Sequence, residues 1–303
     1  MELHGAPPAE LTRAGAWVLA TRPKTLTAAA APVVAGTGLA ALHGAAAALP
    51  ALAALVGALL IQVGTNLAND YYDYVRGGDT HERVGPLRVT QAGVLDPSAV
   101  KRAMLAVLAA AFLVGVYLVW VGGWPIAVLG LASLACAVLY TGGPWPLAYH
   151  GLGDIFVFAF FGLGAVGGTY WVQALRWNPE AMLAGSGMGA LITAILVVNN
   201  LRDIPTDARA GKRTLAVRIG VGATRAEYAL LMIGALVVPP VGVAAYAWPR
   251  ASLAALLVAP LCVRPLRRVL RFREPRELLP ALGETSRVVA VYGVLMGLGL
   301  AFG

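Results

Sequence analysis

The sequence predicts an all-α, polytopic membrane bundle of nine transmembrane helices. Of its 303 residues, 59% are hydrophobic and only 13% are charged, whereas a soluble domain carries roughly a quarter charged residues. The mean hydropathy is +0.74. The basic residues are also segregated. With the N-terminus in the cytoplasm, alternation across nine spans puts 21 of the 23 Lys and Arg residues on that side, leaving Arg176 and Arg250 opposite, as the positive-inside rule requires. Spans of about 20 residues with their loops consume the whole length, so residues 1–303 read as a single integral-membrane domain.

The spans follow from the apolar runs in order. The first covers 16–42 and is entered through Arg22-Pro-Lys-Thr25. The second, 49–72, closes on Asn66-Leu-Ala-Asn-Asp-Tyr-Tyr-Asp73. The third and fourth, 103–121 and 125–141, meet at Trp120 and Trp124, as an interfacial aromatic belt predicts. The fifth, 153–174, carries Gly162-Leu-Gly164 and Gly167-Gly168, small residues that let membrane helices approach closely. The sixth, 182–202, closes on Asn199-Asn-Leu-Arg-Asp203, where Pro205 is positioned to kink or end the helix. The seventh, eighth and ninth cover 226–246, 251–270 and 285–302. Outside loops are short, and the cytoplasmic loops 73–102, 203–225 and 271–284 are long and charged. Loops of more than about 12–15 residues tend to carry function.

The net charge of +8 therefore describes topology and not nucleic-acid binding. Cys136 and Cys262 stand singly in apolar spans and read as small buried hydrophobes. Residues 1–13 lack the basic, apolar and small-residue succession of a removable signal peptide.

Five of the aspartates fall in two similar stretches 133 positions apart: Asp70, Asp73 and Asp79 at and beyond the end of the second span, and Asp203 and Asp207 just beyond the sixth. The match suggests related halves, helices 1–4 and 5–8, with a ninth helix added. Asn199, Asp203 and Asp207 follow an i, i+4, i+8 spacing, which keeps their directions within about 80° on a helix. Asn66, Asp70 and Asp73 form a like stripe. A carboxylate costs about 2.5–3.5 kcal/mol near a bilayer centre, less toward the ends, and is a functional candidate by default. Pairing with a neighbouring arginine, such as Asp203 with Arg202 or Arg209, explains one such acid more easily than five in matched patterns.

Mg²⁺ takes oxygen ligands, usually one or two carboxylates with phosphates and water. Asp70, Asp73, Asp79, Asp203 and Asp207 are accordingly the candidate Mg²⁺ ligands for a diphosphate substrate. Arg22, Lys24, Arg83, Arg88, Lys212, Arg213 and Arg218 supply nearby cations for an anionic leaving group.

These motifs, with Arg83-Val-Gly-Pro-Leu-Arg88, Gly151-Leu-Gly-Asp154 and Gly211-Lys-Arg-Thr-Leu-Ala-Val-Arg218, resemble the UbiA superfamily of intramembrane prenyltransferases. The likeness is greatest to its 1,4-dihydroxy-2-naphthoate polyprenyltransferase branch and runs from Trp17 to about Arg225. It implies a bundle around a central cavity capped by cytoplasmic loops, in the inner (plasma) membrane. It also implies Mg²⁺-dependent transfer of a polyprenyl group from polyprenyl diphosphate to 1,4-dihydroxy-2-naphthoate, with loss of CO₂ and diphosphate. Membrane lipid is the remaining partner expected, and no nucleic acid.

By motif, Asp70, Asp73, Asp203 and Asp207 fall in the catalytic set, and Tyr140 matches a tyrosine lying near the reacting carbon in relatives. Asn66, Asn69, Asn199, Arg22, Lys24, Arg83, Arg88, Lys212 and Asp154 fall in the substrate-binding set. Tyr71, Tyr72 and Phe160 are further aromatic faces for a carbocation, and Asp73 or Asp154 a base if one is needed. Relatives acting on hydroxybenzoate follow the tyrosine with a basic residue, and Thr141 to Tyr149 has none. Acceptors such as homogentisate, hydroxybenzoate or a lipid headgroup stay open. A secondary transporter fits less well, because its acids belong near mid-span.

Overall fold

The computed structural model describes residues 12–77 and 84–303. Asp79, His81 and Arg83, and most of the N-terminal segment expected to lack a signal peptide, lie outside these residues. Every regular element among the described residues is helical, as the composition predicts.

The chain runs through α1 (Arg13–Thr21), α2 (Thr27–Leu42), α3 (Ala48–Val75), α4 (Pro97–Gly122), α5 (Trp124–Leu139), α6 (Gly153–Val157), α7 (Ala165–Ala174), α8 (Pro179–Arg209), α9 (Leu215–Tyr246), α10 (Ala259–Arg271) and α11 (Leu279–Phe302). Local chemistry sets several boundaries. Asp96 caps α4, accepting from the N–H groups of Ser98 at 2.7 Å and Ala99 at 3.2 Å, with Pro97 at the first helical position. Asn178 and Pro179 open α8 in the same way. Both use the rule that a side-chain oxygen satisfies orphan N–H groups while proline needs none.

Among the described residues, six helical runs are long and apolar enough to cross a bilayer: α3, α4, Gly153–Ala174, α8, α9 and Pro275–Phe302. The pair α1–α2, bent by 46°, makes a seventh. The expectation of nine spans is thus not matched element for element. α5 is apolar, but 16 residues reach only about 24 Å, short of a hydrocarbon core of about 30 Å. The segment expected to span 251–270 is split into a 3-10 stretch, Arg250–Val258, and α10, and α10 carries Arg264, Arg267, Arg268 and Arg271. A helix that charged fails the apolar requirement.

α8 is the axis of the bundle. Of its apolar window 78% is buried, against 11% for peripheral α4. It packs on α9 and on the π-helical turn Phe158–Gly164 joining α6 to α7. That approach depends on glycine: a Cβ on Gly162 would lie 2.5 Å from the Gly185 carbonyl oxygen. α8 continues through Pro205 to Arg209, so the proline does not end the helix as its position suggested. The stripe Asn199, Asp203, Asp207 therefore stays on one helix.

Candidate active site

The C-terminal ends of α3 and α8 meet around one hollow. A cavity of about 510 Å³ takes in Asn66 and Asn69 from α3, Asn199 from α8, Arg22 and Thr25 from the α1–α2 junction, and Tyr140 at the end of α5. Most of its polar groups gather at this end. The remainder is largely apolar, with Ser133 and Thr169 the exceptions, walled by α3 back to Ala54, by α4 and α5, and by Phe156, Phe160 and Phe161. From Asn69 to Ala54 along α3 is about 22 Å. The space is therefore an elongated apolar chamber with a polar mouth.

Four aspartates cluster at helix C-termini, where the macrodipole is negative and a carboxylate is disfavoured. Side-chain partners offset that cost at Asp70, Asp73 and Asp203. Asp70, 2% exposed, accepts from the Thr90 hydroxyl at 2.7 Å. Asp73, 3% exposed, is 3.1 Å from an Arg88 guanidinium nitrogen and 3.5 Å from the Tyr149 hydroxyl. Thr90 and Arg88 reach α3 because the loop folds back there, with turns from the Arg88 carbonyl to Ala92 and from Val89 to Val94. Asp203 is held by Arg202 through two hydrogen bonds of 2.7 and 2.6 Å, the arginine pairing that the sequence left open. The Asp207 carbonyl accepts the Lys212 backbone N–H at 2.8 Å.

Asn66 ties the mouth together. Its amide nitrogen donates to the Thr21 carbonyl at 2.8 Å and to the Thr25 hydroxyl at 3.1 Å, and its oxygen accepts from Gln62 at 3.3 Å. Buried amides are normally satisfied in this way. Asn69 accepts from the Thr141 hydroxyl at 2.9 Å. Arg22 enters the cavity at a strained position, φ +50° immediately before Pro23, a backbone region non-glycine residues seldom occupy.

The two halves are joined by Tyr149, on the short 3-10 helix Leu147–His150. Its hydroxyl faces Asp73, and its carbonyl accepts the Arg213 N–H at 3.2 Å. Its ring lies 5.5 Å from Lys212 Nζ and 5.7 Å from the Arg76 guanidinium. The Tyr140 hydroxyl rests against Gly153 within electrostatic reach of Asp154, Asp73 and Asp207. Asp154 is 6% exposed, and its Oδ2 is buried without a hydrogen-bond partner among the described residues.

Not every expected residue converges. Lys24 is exposed and is absent from the cavity wall. Tyr71 and Tyr72 stack edge-to-face at 5.0 Å and pack against Ala16, Leu67 and Leu95, so they are packing residues and not cavity aromatics; Phe160 does line the cavity. Four polar residues at the mouth were missed from the sequence: Gln62, Thr90, Thr141 and Tyr149. Only Gln62 carried a signal, since it extends the Asn66–Asp70 spacing by one turn.

Among the described residues, no three acidic, His or Cys side chains gather closely enough to hold a metal alone. Mg²⁺ needs only one or two carboxylates when phosphate oxygens and water complete its shell. Asp70 and Asp73 at the end of α3 and Asp203 and Asp207 at the end of α8 offer oxygen donors of the kind such an ion takes, although none of the four lines the cavity wall itself.

The profile of the UbiA prenyltransferase family matches residues 29–282. The 1,4-dihydroxy-2-naphthoate octaprenyltransferase of Mycobacterium tuberculosis is 44% identical to this chain, over 95% of this chain and 97% of that protein. The Escherichia coli protein of the same name is 39% identical over 96% of each. In fold, the chain is similar to a UbiA homolog from Archaeoglobus fulgidus bound to GPP and Mg²⁺, with a TM-score of 0.64 and 14% identity over 93% of this chain and 99% of that one. A UbiA homolog from Aeropyrum pernix K1 superposes with a TM-score of 0.68 at 15% identity, over 89% of this chain and 96% of that one. A polar mouth fed by two aspartate-bearing helices, an apolar chamber behind it and full-length similarity to these proteins lead to one conclusion: this chain is a multi-pass membrane prenyltransferase belonging to the UbiA prenyltransferase family.

Proposed function

We propose that this chain transfers a polyprenyl group from its diphosphate to 1,4-dihydroxy-2-naphthoate, releasing diphosphate and CO₂. The observation that carries the reading is the shape and polarity of the cavity. One end gathers amides, hydroxyls and the Arg22 guanidinium beside the aspartate-bearing ends of α3 and α8, and an apolar space of about 510 Å³ in all leads away between helices. An amphiphile with a charged head and a long hydrocarbon tail matches both ends. The names of the Mycobacterium tuberculosis and Escherichia coli relatives supply the acceptor.

In this reading Asp70, Asp73, Asp203 and Asp207 hold Mg²⁺ with the diphosphate, joined by Asp79. Mg²⁺ supplies charge neutralisation on the diphosphate oxygens. Asn66, Asn69 and Asn199 orient the head, and Arg22, Arg88 and Lys212, with Arg83 from the same loop, balance negative charge as the allylic C–O bond breaks and its electron pair leaves with diphosphate. Lys24 acts from the rim. The faces of Tyr140 and Phe160 stabilise the allylic cation, an attraction of about 2 kcal/mol or more when desolvated. A ring carbon of the naphthoate attacks the allylic carbon. At the carbon bearing the carboxylate, loss of CO₂ alone restores the aromatic ring. At a C–H carbon the proton lost there, with Asp154 a candidate acceptor, is matched by the proton taken up where CO₂ leaves. Apolar walls keep water from the cation. The motif-bearing mouth faces the cytoplasm, the side to which the positive-inside asymmetry assigns it.

Isolated membranes incubated with dihydroxynaphthoate, polyprenyl diphosphate and Mg²⁺ are expected to yield a prenylated, decarboxylated naphthol. Product from hydroxybenzoate or homogentisate, with none from dihydroxynaphthoate, moves the protein to another branch of the family.

A further inference from the structure

At the same end of the bundle, α10 builds a second hollow unlike the first. Arg264, Arg267, Arg268 and Arg271 recur at three- and four-residue spacings, so they share one stripe of the helix. They line a space of about 470 Å³ with Phe272, Glu277 and Glu284. Among the described residues, Arg268 alone of the four is neutralised there, through Glu284 at 3.2 and 3.3 Å. Arg264, Arg267 and Arg271 are exposed, and among the described residues none makes a side-chain hydrogen bond or ion pair.

The wall behind them is fixed. Phe272 is 8% exposed, its carbonyl accepts from Arg225 at 2.6 Å, and its ring lies 4.5 Å from that guanidinium. Leu261, Val263 and Leu270 flank the stripe as exposed apolar side chains.

Topology alone needs positive charge on one side of a bilayer, not three unpaired guanidiniums beside one hollow. Like charges at these spacings repel, and an anion between them removes the repulsion. Guanidinium groups match phosphate geometry through paired N–H donors, and basic pockets beside membrane helices suit lipid headgroups. We propose that this hollow binds the phosphate headgroup of an anionic phospholipid, whose acyl chains lie along Leu261, Val263 and Leu270. The apolar flank selects a lipid over a free anion.

Native mass spectrometry of the purified full-length chain in detergent, titrated with phosphatidylglycerol or phosphatidylcholine, tests this without turnover, so it stands apart from the prenyl-transfer reading. The wild type is expected to prefer phosphatidylglycerol by at least about tenfold. The Arg264→Gln/Arg267→Gln/Arg271→Gln variant is expected to lose that preference, while Arg273→Gln/Arg276→Gln, at exposed positions outside the hollow, keeps it. If the triple variant fails to insert, Arg264→Lys/Arg267→Lys/Arg271→Lys retains the charge and loses the fork, and its preference is expected to fall. No preference in the wild type, an undiminished preference in both triple variants, or displacement of the lipid by equimolar inorganic phosphate overturns the proposal.

Discussion

The Tyr149 hydroxyl lies 3.5 Å from the Asp73 carboxylate, while the Tyr149 carbonyl accepts the Arg213 N–H. One residue thus ties the end of α3 to the loop that follows α8, and Lys212 and Arg76 flank its ring. Tyr149→Phe keeps the ring and loses only a long hydrogen bond, worth about 1 kcal/mol, so kcat/KM is expected to fall less than about tenfold. Tyr149→Ala also removes the surface that positions both cations and is expected to cost clearly more. Equal losses in steady-state kinetics contradict this division of labour.

Asp70→Ala and Asp203→Ala are each expected to abolish turnover while the protein still inserts and folds. Membrane insertion, size-exclusion profile and prenyl transfer measured on the same preparations decide the matter. Normal activity in either variant removes that acid from the metal site.

Thr90 donates to Asp70 at 2.7 Å from a loop 20 residues on. Partners that orient a ligating group typically contribute 10–100-fold to metal affinity. Thr90→Val, close in shape but without the donor, is expected to raise the Mg²⁺ concentration for half-maximal activity by about tenfold. An unchanged Mg²⁺ dependence shows that Asp70 is fixed without this hydroxyl.

Asp96 lies away from the site and caps α4. Its carboxyl is held below the ordinary 3.8 by the Ser98 hydroxyl first, then by the N–H groups of Ser98 and Ala99. A depressed folded-state value means the cap stabilises above the unfolded value and is lost as pH falls through the folded one. Asp96→Ala is therefore expected to leave activity unchanged and lower the melting temperature at neutral pH. That difference should shrink below about pH 3.8. A gap that persists in acid contradicts the cap assignment.

The helical class and the ends bearing the two motifs were legible because apolar runs and polar clusters are local in sequence. The stripe Asn199, Asp203, Asp207 needed only helical spacing, and of the two outcomes open at Pro205, a kink or an end, the end is excluded because the helix continues past it. Span number was less legible. α5 falls short by a few residues, and four arginines on α10 are invisible to a reading that counts apolar residues across 251–270. Tyr149 and Thr141 were unreadable for another reason. Their partners, Asp73 and Asn69, lie 76 and 72 positions away, and a hydroxyl's value depends on what the fold brings to it. Tyr71 and Tyr72 share a motif with Asp70 yet point from the helix into packing, since neighbours in sequence on a helix face different directions.

The central claim is that the ends of α3 and α8 grip one diphosphate through shared Mg²⁺. Its most direct test is calorimetric titration of a non-hydrolysable polyprenyl diphosphate analogue, with and without Mg²⁺, into wild type, Asp70→Asn, Asp203→Asn and the double variant. Each single variant is expected to lose about tenfold or more of the Mg²⁺-dependent affinity, and the double variant less than the sum of the two. Undiminished Mg²⁺-dependent binding in either single variant, or strictly additive losses, would contradict it.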